Sequence, residues 1–249
     1  KSLVGPNSDA HVYSPSPADA KTLADAKVVF TNGLGFEGWI GRLIKSSNTK
    51  APNVIAAKGI KPRKMADAHG HGHGDGDPHA WQSVPNVKIY VANIRDGLTA
   101  ADPAGKAAYD ANAAAYLAKL DALDREVRDA IAKIPTERRK IITTHDAFGY
   151  FQDAYAVEFI APQGVSTESE ASARDVARII QQIRKQKIPA VFLENVSDPR
   201  LLKRIAEETG AKVGGTLYSD ALTGEKADAP TYIDLIRHNI RTLSAALMS

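Results

Sequence analysis

The sequence of 249 residues contains no cysteine. This absence excludes disulfide bonds, zinc sites built on thiolates and lipid attachment to a cysteine within this chain. Long apolar runs are also missing: none approaches the roughly 18 residues that a membrane-spanning helix needs. The first ten residues lack the apolar core of a signal peptide. With 43% hydrophobic residues, the composition is that of a globular protein.

A strong charge of one sign is missing as well. The formal net charge is only +3, and the basic residues are spread along the chain. Basic clusters interleaved with aromatic residues, which a nucleic-acid surface would need, do not occur. We therefore expect no nucleic-acid partner. The length allows one large domain or two lobes.

Short apolar runs that end at turn residues alternate with amphipathic segments. This alternation predicts an α/β fold with mostly parallel sheets flanked by helices. Strands are predicted at 2–5, 27–33, 53–59, 139–145, 188–195 and 211–220. Helices are predicted at 14–26, 38–47, 172–186 and 197–210, and another follows Trp81.

The segment from Pro103 to Ile134 breaks this alternation. It is rich in alanine and charged residues, has no internal proline, and carries one apolar stripe at three- and four-residue steps. A helix of this length would extend about 45 Å. It could be an edge helix packed on a single domain. We prefer a backbone helix (103–135) that joins an N-terminal lobe (1–102) to a C-terminal lobe (136–249), because the α/β alternation resumes on both sides.

Residues that commonly bind metals follow three of the predicted strands. His11 comes after the first predicted strand, His145 ends 139–145, and Asp220 ends 211–220. The carboxyl ends of parallel strands are where open α/β sheets bind ligands. One such residue is weak evidence, since a loop histidine can simply form a local hydrogen bond. Three together indicate a metal site.

Four of the seven histidines lie within "HGHGHGDGDPH", residues 69–79. His69, His71 and His73 alternate with glycines, so we expect a flexible loop that gathers metal with low affinity. The alternative is a solvated linker with no role in binding. His79 follows Pro78, which restricts the backbone, so His79 is predicted to be a fixed ligand.

Five segments of the chain carry a resemblance to a known family. They are 3–19 ("LVGPNSDAHVYSPSPAD", with Ala10 where proline is usual), 32–39 ("NGLGFEGW"), 77–81 ("DPHAW"), 144–151 ("THDAFGYF") and 217–224 ("LYSDALTG"). In this order and spacing, the sequence resembles the zinc- and manganese-binding solute-binding proteins of bacterial ABC importers (cluster A-I), in particular the high-affinity zinc-uptake, ZnuA/AztC-like group. The resemblance covers essentially the whole chain and implies two α/β lobes joined by a long backbone helix.

The resemblance implies a four-ligand metal site. Its ligands would be His11, His79, His145 and Asp220, two from each lobe, with the ion at the interface of the lobes. Manganese-binding relatives tend to have glutamate where this chain has His145, so the expected metal is Zn²⁺, with Mn²⁺ as the alternative. This agrees with the preference of zinc for imidazole donors and of manganese for oxygen donors.

The resemblance also implies a cellular role. The protein is expected to be a monomer that captures zinc in the periplasm and delivers it to the membrane permease of an ABC importer. A periplasmic zinc chaperone is a possible second partner. Relatives usually have a first strand and helix before the first-ligand segment, and we expect these, with the export signal, to be missing from this chain.

The ligand set argues for binding and against catalysis. Three histidines and one carboxylate fill a tetrahedral zinc shell, whereas catalytic zinc keeps an open position for water. Glu194 is the best candidate for a general base, but we expect it to hydrogen-bond beside the ligands. A zinc-dependent hydrolase is a rival hypothesis, and a surface adhesin that holds metal is another.

His238 is expected to be a packing or surface residue of an amphipathic helix. Because imidazoles must lose protons to bind metal, the affinity for zinc is expected to decrease as the pH drops below about 6–6.5.

Overall fold

The computed structural model describes residues 1–63 and 76–248. The chain divides into two compact units. Unit 1 comprises Lys1–Val4 and Ala10–Ala122, and unit 2 comprises Gly5–Asp9 and Leu123–Ser249. The helices of the described residues are α1 (Pro17–Ala24), α2 (Ile40–Ser47), α3 (Val84–Ala101), α4 (Lys106–Ala132), α5 (Gly149–Tyr155), α6 (Ala173–Gln186), α7 (Arg200–Thr209) and α8 (Tyr232–Leu247). The strands are β1 (Val29–Thr31), β2 (Asn53–Ile55), β3 (Lys140–Ile142), β4 (Glu158–Ile160), β5 (Ala190–Glu194) and β6 (Lys212–Leu217).

Unit 1 contains a two-stranded parallel sheet. β1 pairs with β2 in the register Phe30 to Val54. Helix α3 lies close against this sheet at Gly97, where an added Cβ would come within 2.8 Å of both the Phe30 ring and the Val54 side chain. A glycine here lets the helix and the sheet approach each other.

The predicted strand at 2–5 is wrong. These residues form no strand; instead, Leu3 and Val4 pack against a core cluster of Leu23, Trp39 and Leu43. Their apolar character reflects burial against helices α1 and α2 and not pairing in a sheet, and an apolar run this short does not distinguish the two.

Unit 2 contains a four-stranded parallel sheet in the order β4-β3-β5-β6. Four of the predicted strands match β1, β2, β3 and β5 in position, and 211–220 contains β6. Strand β4 has no counterpart among the predicted strands, because a three-residue strand leaves almost no periodic pattern. Helices α6 and α7 cover the sheet through a core that includes Ile142, Ile179, Val191, Leu202 and Ile205.

The long helix is present. A short 3₁₀ turn at Pro103–Gly105 precedes α4, whose 27 residues extend about 40 Å. Its apolar stripe is buried at Leu120, Leu123, Val127 and Ile131. The division between the two units falls inside α4, after Ala122. That α4 is a backbone between lobes with boundaries at 102/103 and 135/136 stays a prediction.

Candidate metal centre

His11 lies in an irregular segment and not after a strand. This corrects the expectation that it follows the carboxyl end of a parallel strand, since residues 1–16 contain no strand. Tertiary contacts hold its backbone instead. The indole Nε1 of Trp39 donates a 2.7 Å hydrogen bond to the carbonyl of Ala10. Just downstream, Ser16 and Asp19 form a reciprocal cap on α1, which fixes the point where the segment ends.

His79 is fully buried at the start of a 3₁₀ turn, Ala80–Gln82. The carboxylate Oδ1 of Asp77 accepts two hydrogen bonds of 2.9 Å, one from the backbone N–H of His79 and one from its ring Nδ1. A proton on Nδ1 leaves Nε2 as the nitrogen with a lone pair when the ring is neutral. Asp77 therefore orients the ring so that Nε2 can bind a metal.

The two histidines of unit 1 meet through these nitrogens. Nε2 of His11 lies 3.2 Å from Nε2 of His79, and both side chains are buried. At this distance the two nitrogens can share one proton, which one ring donates and the other accepts. A metal ion could replace that proton and bind the lone pairs of both rings. His11 and His79 are candidate metal ligands, and we call them the first ligand pair.

Aromatic rings surround the first ligand pair. The Phe36 ring meets His11 edge-on at 4.7 Å between centroids and His79 at 6.0 Å, and the Trp81 ring lies 5.2 Å from His79. This shell keeps water away from the imidazoles and strengthens electrostatic interactions within the site. Neither Asp77 nor Phe36 was predicted to be a functional residue, although both lie in the segments that carry the family resemblance.

The loop that bears Phe36 is held by a buried carboxylate. Glu37 accepts hydrogen bonds from the backbone N–H groups of Asn32, at 2.6 Å, and Gly33, at 3.3 Å. Burial raises the pKa of Glu37, although these N–H groups oppose the shift. Asn32 also donates to the carbonyl of Pro78 at 3.1 Å and accepts from the hydroxyl of Tyr90 at 2.7 Å. These contacts link the Phe36 loop to the turn that carries His79.

In unit 2, His145 lies three residues beyond the end of β3, where it forms a bridge to Gln163. Glu194, at the end of β5, accepts hydrogen bonds from the backbone N–H groups of Thr144 (2.7 Å) and His145 (3.0 Å). The other oxygen of Glu194 contacts ring Nδ1 of His145. Glu194 thus sets both the backbone and the ring orientation of His145, as Asp77 does for His79.

Asp220 faces the opposite nitrogen of the same ring. Its Oδ2 lies 3.0 Å from Nε2 of His145. His145 and Asp220 are likewise candidate metal ligands, and we call them the second ligand pair. Burial by itself lowers the pKa of His145, but the charges of Glu194 and Asp220 and their hydrogen bonds outweigh it and hold the pKa well above its ordinary value. The raised pKa favours a proton on Nε2, the nitrogen that could bind a metal ion instead.

The remaining histidines do not join either pair in the described residues. His238, on α8, has its Nε2 3.0 Å from the carbonyl of Thr216, and its ring packs against Tyr218 with centroids 4.5 Å apart. This agrees with the packing role predicted for it. His69, His71 and His73 lie outside the residues that the structure describes.

The sequence matches, over residues 1–246, the family described as the periplasmic component A of the zinc-uptake complex (ZnuA). The chain belongs to this family. Its fold agrees: the periplasmic zinc-binding protein TroA from Treponema pallidum superimposes with a TM-score of 0.92 at 32% identity, covering 99% of this chain and 90% of TroA.

Relatives in this family are named for different metals. The iron-binding protein YfeA of Yersinia pestis is 35% identical over 98% of this chain and 78% of its own length. The manganese-binding lipoprotein MntA of Halalkalibacterium halodurans is 34% identical over 96% of this chain and 78% of its own length. A manganese-bound mutant of a periplasmic metal-binding protein from Candidatus Liberibacter asiaticus superimposes with a TM-score of 0.88 at 30% identity, covering 98% of this chain and 90% of that protein.

Family membership determines the general role of the chain. It is an extracytoplasmic metal-binding protein of an ABC transporter, and such proteins work with a membrane permease and ATPase complex. The family consists of substrate-binding proteins, so the prediction of a binding protein and not an enzyme is confirmed, and the hydrolase hypothesis is wrong. Within residues 1–63 and 76–248, no helix has the length and apolar character needed to cross a membrane.

Proposed function

We propose that the protein captures Zn²⁺ in the periplasm and passes it to the permease of its ABC importer, with His11, His79, His145 and Asp220 bound to one ion. The donor set carries this proposal. Three imidazoles and one carboxylate match the nitrogen-rich, four-coordinate environment that zinc prefers, whereas oxygen-rich sets suit manganese.

The contacts of the histidines support metal binding through these side chains. Asp77 accepts from Nδ1 of His79, and Glu194 contacts Nδ1 of His145. A carboxylate on the second nitrogen of a metal-binding histidine fixes the tautomer and raises the basicity of the ligating nitrogen. Two of the three imidazoles are thus prepared to bind through Nε2 without rearrangement.

Manganese is the second candidate. Several relatives carry manganese in their names, among them the PsaA lipoprotein of Streptococcus pneumoniae, which is 30% identical over 99% of this chain and 81% of its own length. The affinity order of divalent ions puts zinc above manganese for any given site, so a manganese carrier would depend on which metal is available to it.

We further propose that His69, His71 and His73 raise the local zinc concentration with low affinity before the ion reaches the four ligands. A zinc chaperone of the same compartment would be an additional source of the ion. Transfer to the permease requires that some of the four ligands leave the ion. The protein acts as a monomer in this proposal.

Metal content tests the proposal first. We expect elemental analysis of the purified protein to find about one tightly held zinc per chain, and competition titration with chelators to rank zinc well above manganese. A manganese preference in that titration would transfer the proposal to the second candidate. A protein with no tight metal site would contradict both.

A substitution at His145 tests the choice of metal. His145→Glu exchanges one nitrogen donor for an oxygen donor, so we expect the ratio of zinc to manganese affinity to fall by about tenfold or more. The measurement is competition titration of each metal against the unaltered protein, with Asn112→Leu on the exposed face of α4 as a control. An unchanged ratio would show that the donor at 145 does not select the metal.

A further inference from the structure

Asp220 lies in an irregular loop that follows β6. Asparagine residues hold this loop on both sides of Asp220. On the preceding side, Asn239 of α8 forms two hydrogen bonds of 2.8 Å to Tyr218: its Oδ1 accepts from the backbone N–H, and its Nδ2 donates to the carbonyl. The start of the loop is therefore attached to a buried helix position.

On the following side, Asn195 holds the loop through its side-chain amide. Its Nδ2 donates to the carbonyl of Ala221 at 3.2 Å and to Oδ1 of Asn7 at 3.1 Å. Turning the amide over would direct its oxygen at two acceptors, so the orientation of Asn195 is determined by these contacts. Asn7, with a φ of 52°, adds a 2.9 Å hydrogen bond from its backbone N–H to the carbonyl of Leu222.

Asn195 directly follows Glu194, which holds His145. Neighbouring residues at the end of β5 thus act on the two members of the second ligand pair. Glu194 orients the ring of His145, and Asn195 holds the carbonyl of Ala221, the residue that follows Asp220. High metal affinity requires ligands held within about 0.5 Å of their bound positions, and a loop meets that requirement only when its surroundings restrain it.

We propose that Asn195 is a positioning residue for metal binding, which holds the carboxylate of Asp220 at Nε2 of His145 by restraining the Ala221 peptide, while Asn239 and Asn7 restrain the two ends of the loop. This inference rests on the proposed function, in which Asp220 is a ligand. Asn195 itself does not bind the ion.

The test removes the amide without adding charge. Asn195→Leu retains the approximate size of the side chain and loses both donors. We expect zinc affinity, measured by competition titration, to fall about tenfold, the lower end of the range for residues that support a ligand. Asn195→Ser provides a smaller variant in case leucine prevents folding, and Asn112→Leu makes the same exchange at an exposed position of α4. Thermal unfolding of the metal-free variants checks that each is folded.

A double-mutant cycle with Asp220→Asn separates positioning from general structural damage. If Asn195 acts through Asp220, Asn195→Leu should cost less than about twofold in zinc affinity once Asp220 is already Asn, because coupled residues are not additive. The visible spectrum of bound Co²⁺ should also change in Asn195→Leu and remain unchanged in Asn112→Leu. An equal loss in both backgrounds, or no loss from Asn195→Leu, would overturn the proposal.

The same measurements distinguish a failure of the positioning role of Asn195 from a failure of the four-ligand proposal on which it rests. If Asp220→Asn lowers zinc affinity and Asn195→Leu does not, only the positioning role fails. If Asp220→Asn leaves zinc affinity unchanged, Asp220 is not a ligand, and both the four-ligand proposal and the positioning role fail.

Discussion

His145 has a carboxylate on each side of its ring, Glu194 at Nδ1 and Asp220 at Nε2. In the absence of metal, this arrangement favours the charged imidazolium. A metal ion needs the neutral ring, so it competes with a proton for Nε2. The surroundings that orient the ring for zinc also make the ring hold its proton more tightly.

The raised pKa of His145 predicts a pH dependence of zinc binding. Since the raised pKa keeps the ring of the metal-free protein protonated above the ordinary value of 6.5, zinc must displace a proton at pH values where a free imidazole has already lost it. We expect affinity to keep rising with pH above 7, beyond the range of about 6–6.5 that free histidines would set. Calorimetry in buffers of different ionisation enthalpy would count the protons released. If zinc binding released no proton at pH 7, the raised pKa of His145 would be contradicted.

The stability of the metal-free protein should follow the opposite trend. A pKa that is higher in the folded state than in the unfolded state contributes stability below the unfolded value. That contribution is lost as the pH rises through the folded value. Raising the pH through the folded pKa of His145, which lies above the ordinary 6.5, is therefore expected to remove stability that His145 provides without metal, although zinc added at the same pH restores it.

His145 and the loop histidines should differ strongly in their effect on affinity. His145→Ala removes a buried ligand and leaves Glu194 and Asp220 without the charge between them, so we expect a loss of at least about 100-fold in zinc affinity. Deleting residues 69–73 should cost a much smaller factor and remove only the weak additional zinc equivalents. Titration with chelators of graded affinity measures both. Comparable losses would contradict the separate roles proposed for the two groups.

At the scale of elements, β6 joins the sheet to the loop of Asp220, and glycines allow α8 to pack closely on it. A Cβ added at Gly214 would lie 2.6 Å from the ring of Phe192, which is fully buried, and 2.9 Å from Cβ of Ala246. Neither neighbour has free space into which to move, because one lies within the core and the other on a helix.

Gly214→Ala is expected to destabilise the protein. Overpacking a buried contact costs about 1–3 kcal/mol, whereas the lower entropy of the unfolded alanine chain returns about 0.4–1 kcal/mol. The net loss should be about 1–2 kcal/mol in the free energy of unfolding, measured by denaturant titration. Gly164→Ala is the matched control, because nothing lies within 4 Å of its added Cβ. Equal effects of the two substitutions would refute the packing argument.

For some helices, the sequence pattern was sufficient to predict both their presence and their bounds. The long apolar stripe of α4 and the helical periodicity of α6 and α7 span several turns, so the helices could be predicted with bounds close to those observed. Predictions for short segments were less accurate: residues 2–5 were wrongly predicted to form a strand, and strand β4 was not predicted. Three or four residues form too short a pattern to distinguish a strand from a buried coil.

At the scale of the whole molecule, metal binding should appear as stability. A ligand that binds only the folded state adds about 2.7 kcal/mol when its free concentration is 100 times Kd. For a chain of this size we therefore expect zinc to raise the melting temperature by roughly 5–10 °C. Calorimetric scans with zinc and with a chelator measure the shift. Asp220→Asn should reduce it, and an equal shift in that variant would count against Asp220 as a ligand.

The sequence by itself determined the α/β class, the long helix and the family, because these depend on periodicity and on motifs read along the chain. It also supplied the four candidate ligands, through the resemblance of their segments to the family. The backbone placement of His11 was decided by a hydrogen bond from Trp39, and the ring orientations of His79 and His145 by Asp77 and Glu194. The contacts of Asn195 with Asn7 and Ala221 join residues up to 188 positions apart. No local pattern encodes contacts of that kind, since they form only when distant segments pack together, and the tertiary structure alone reveals them.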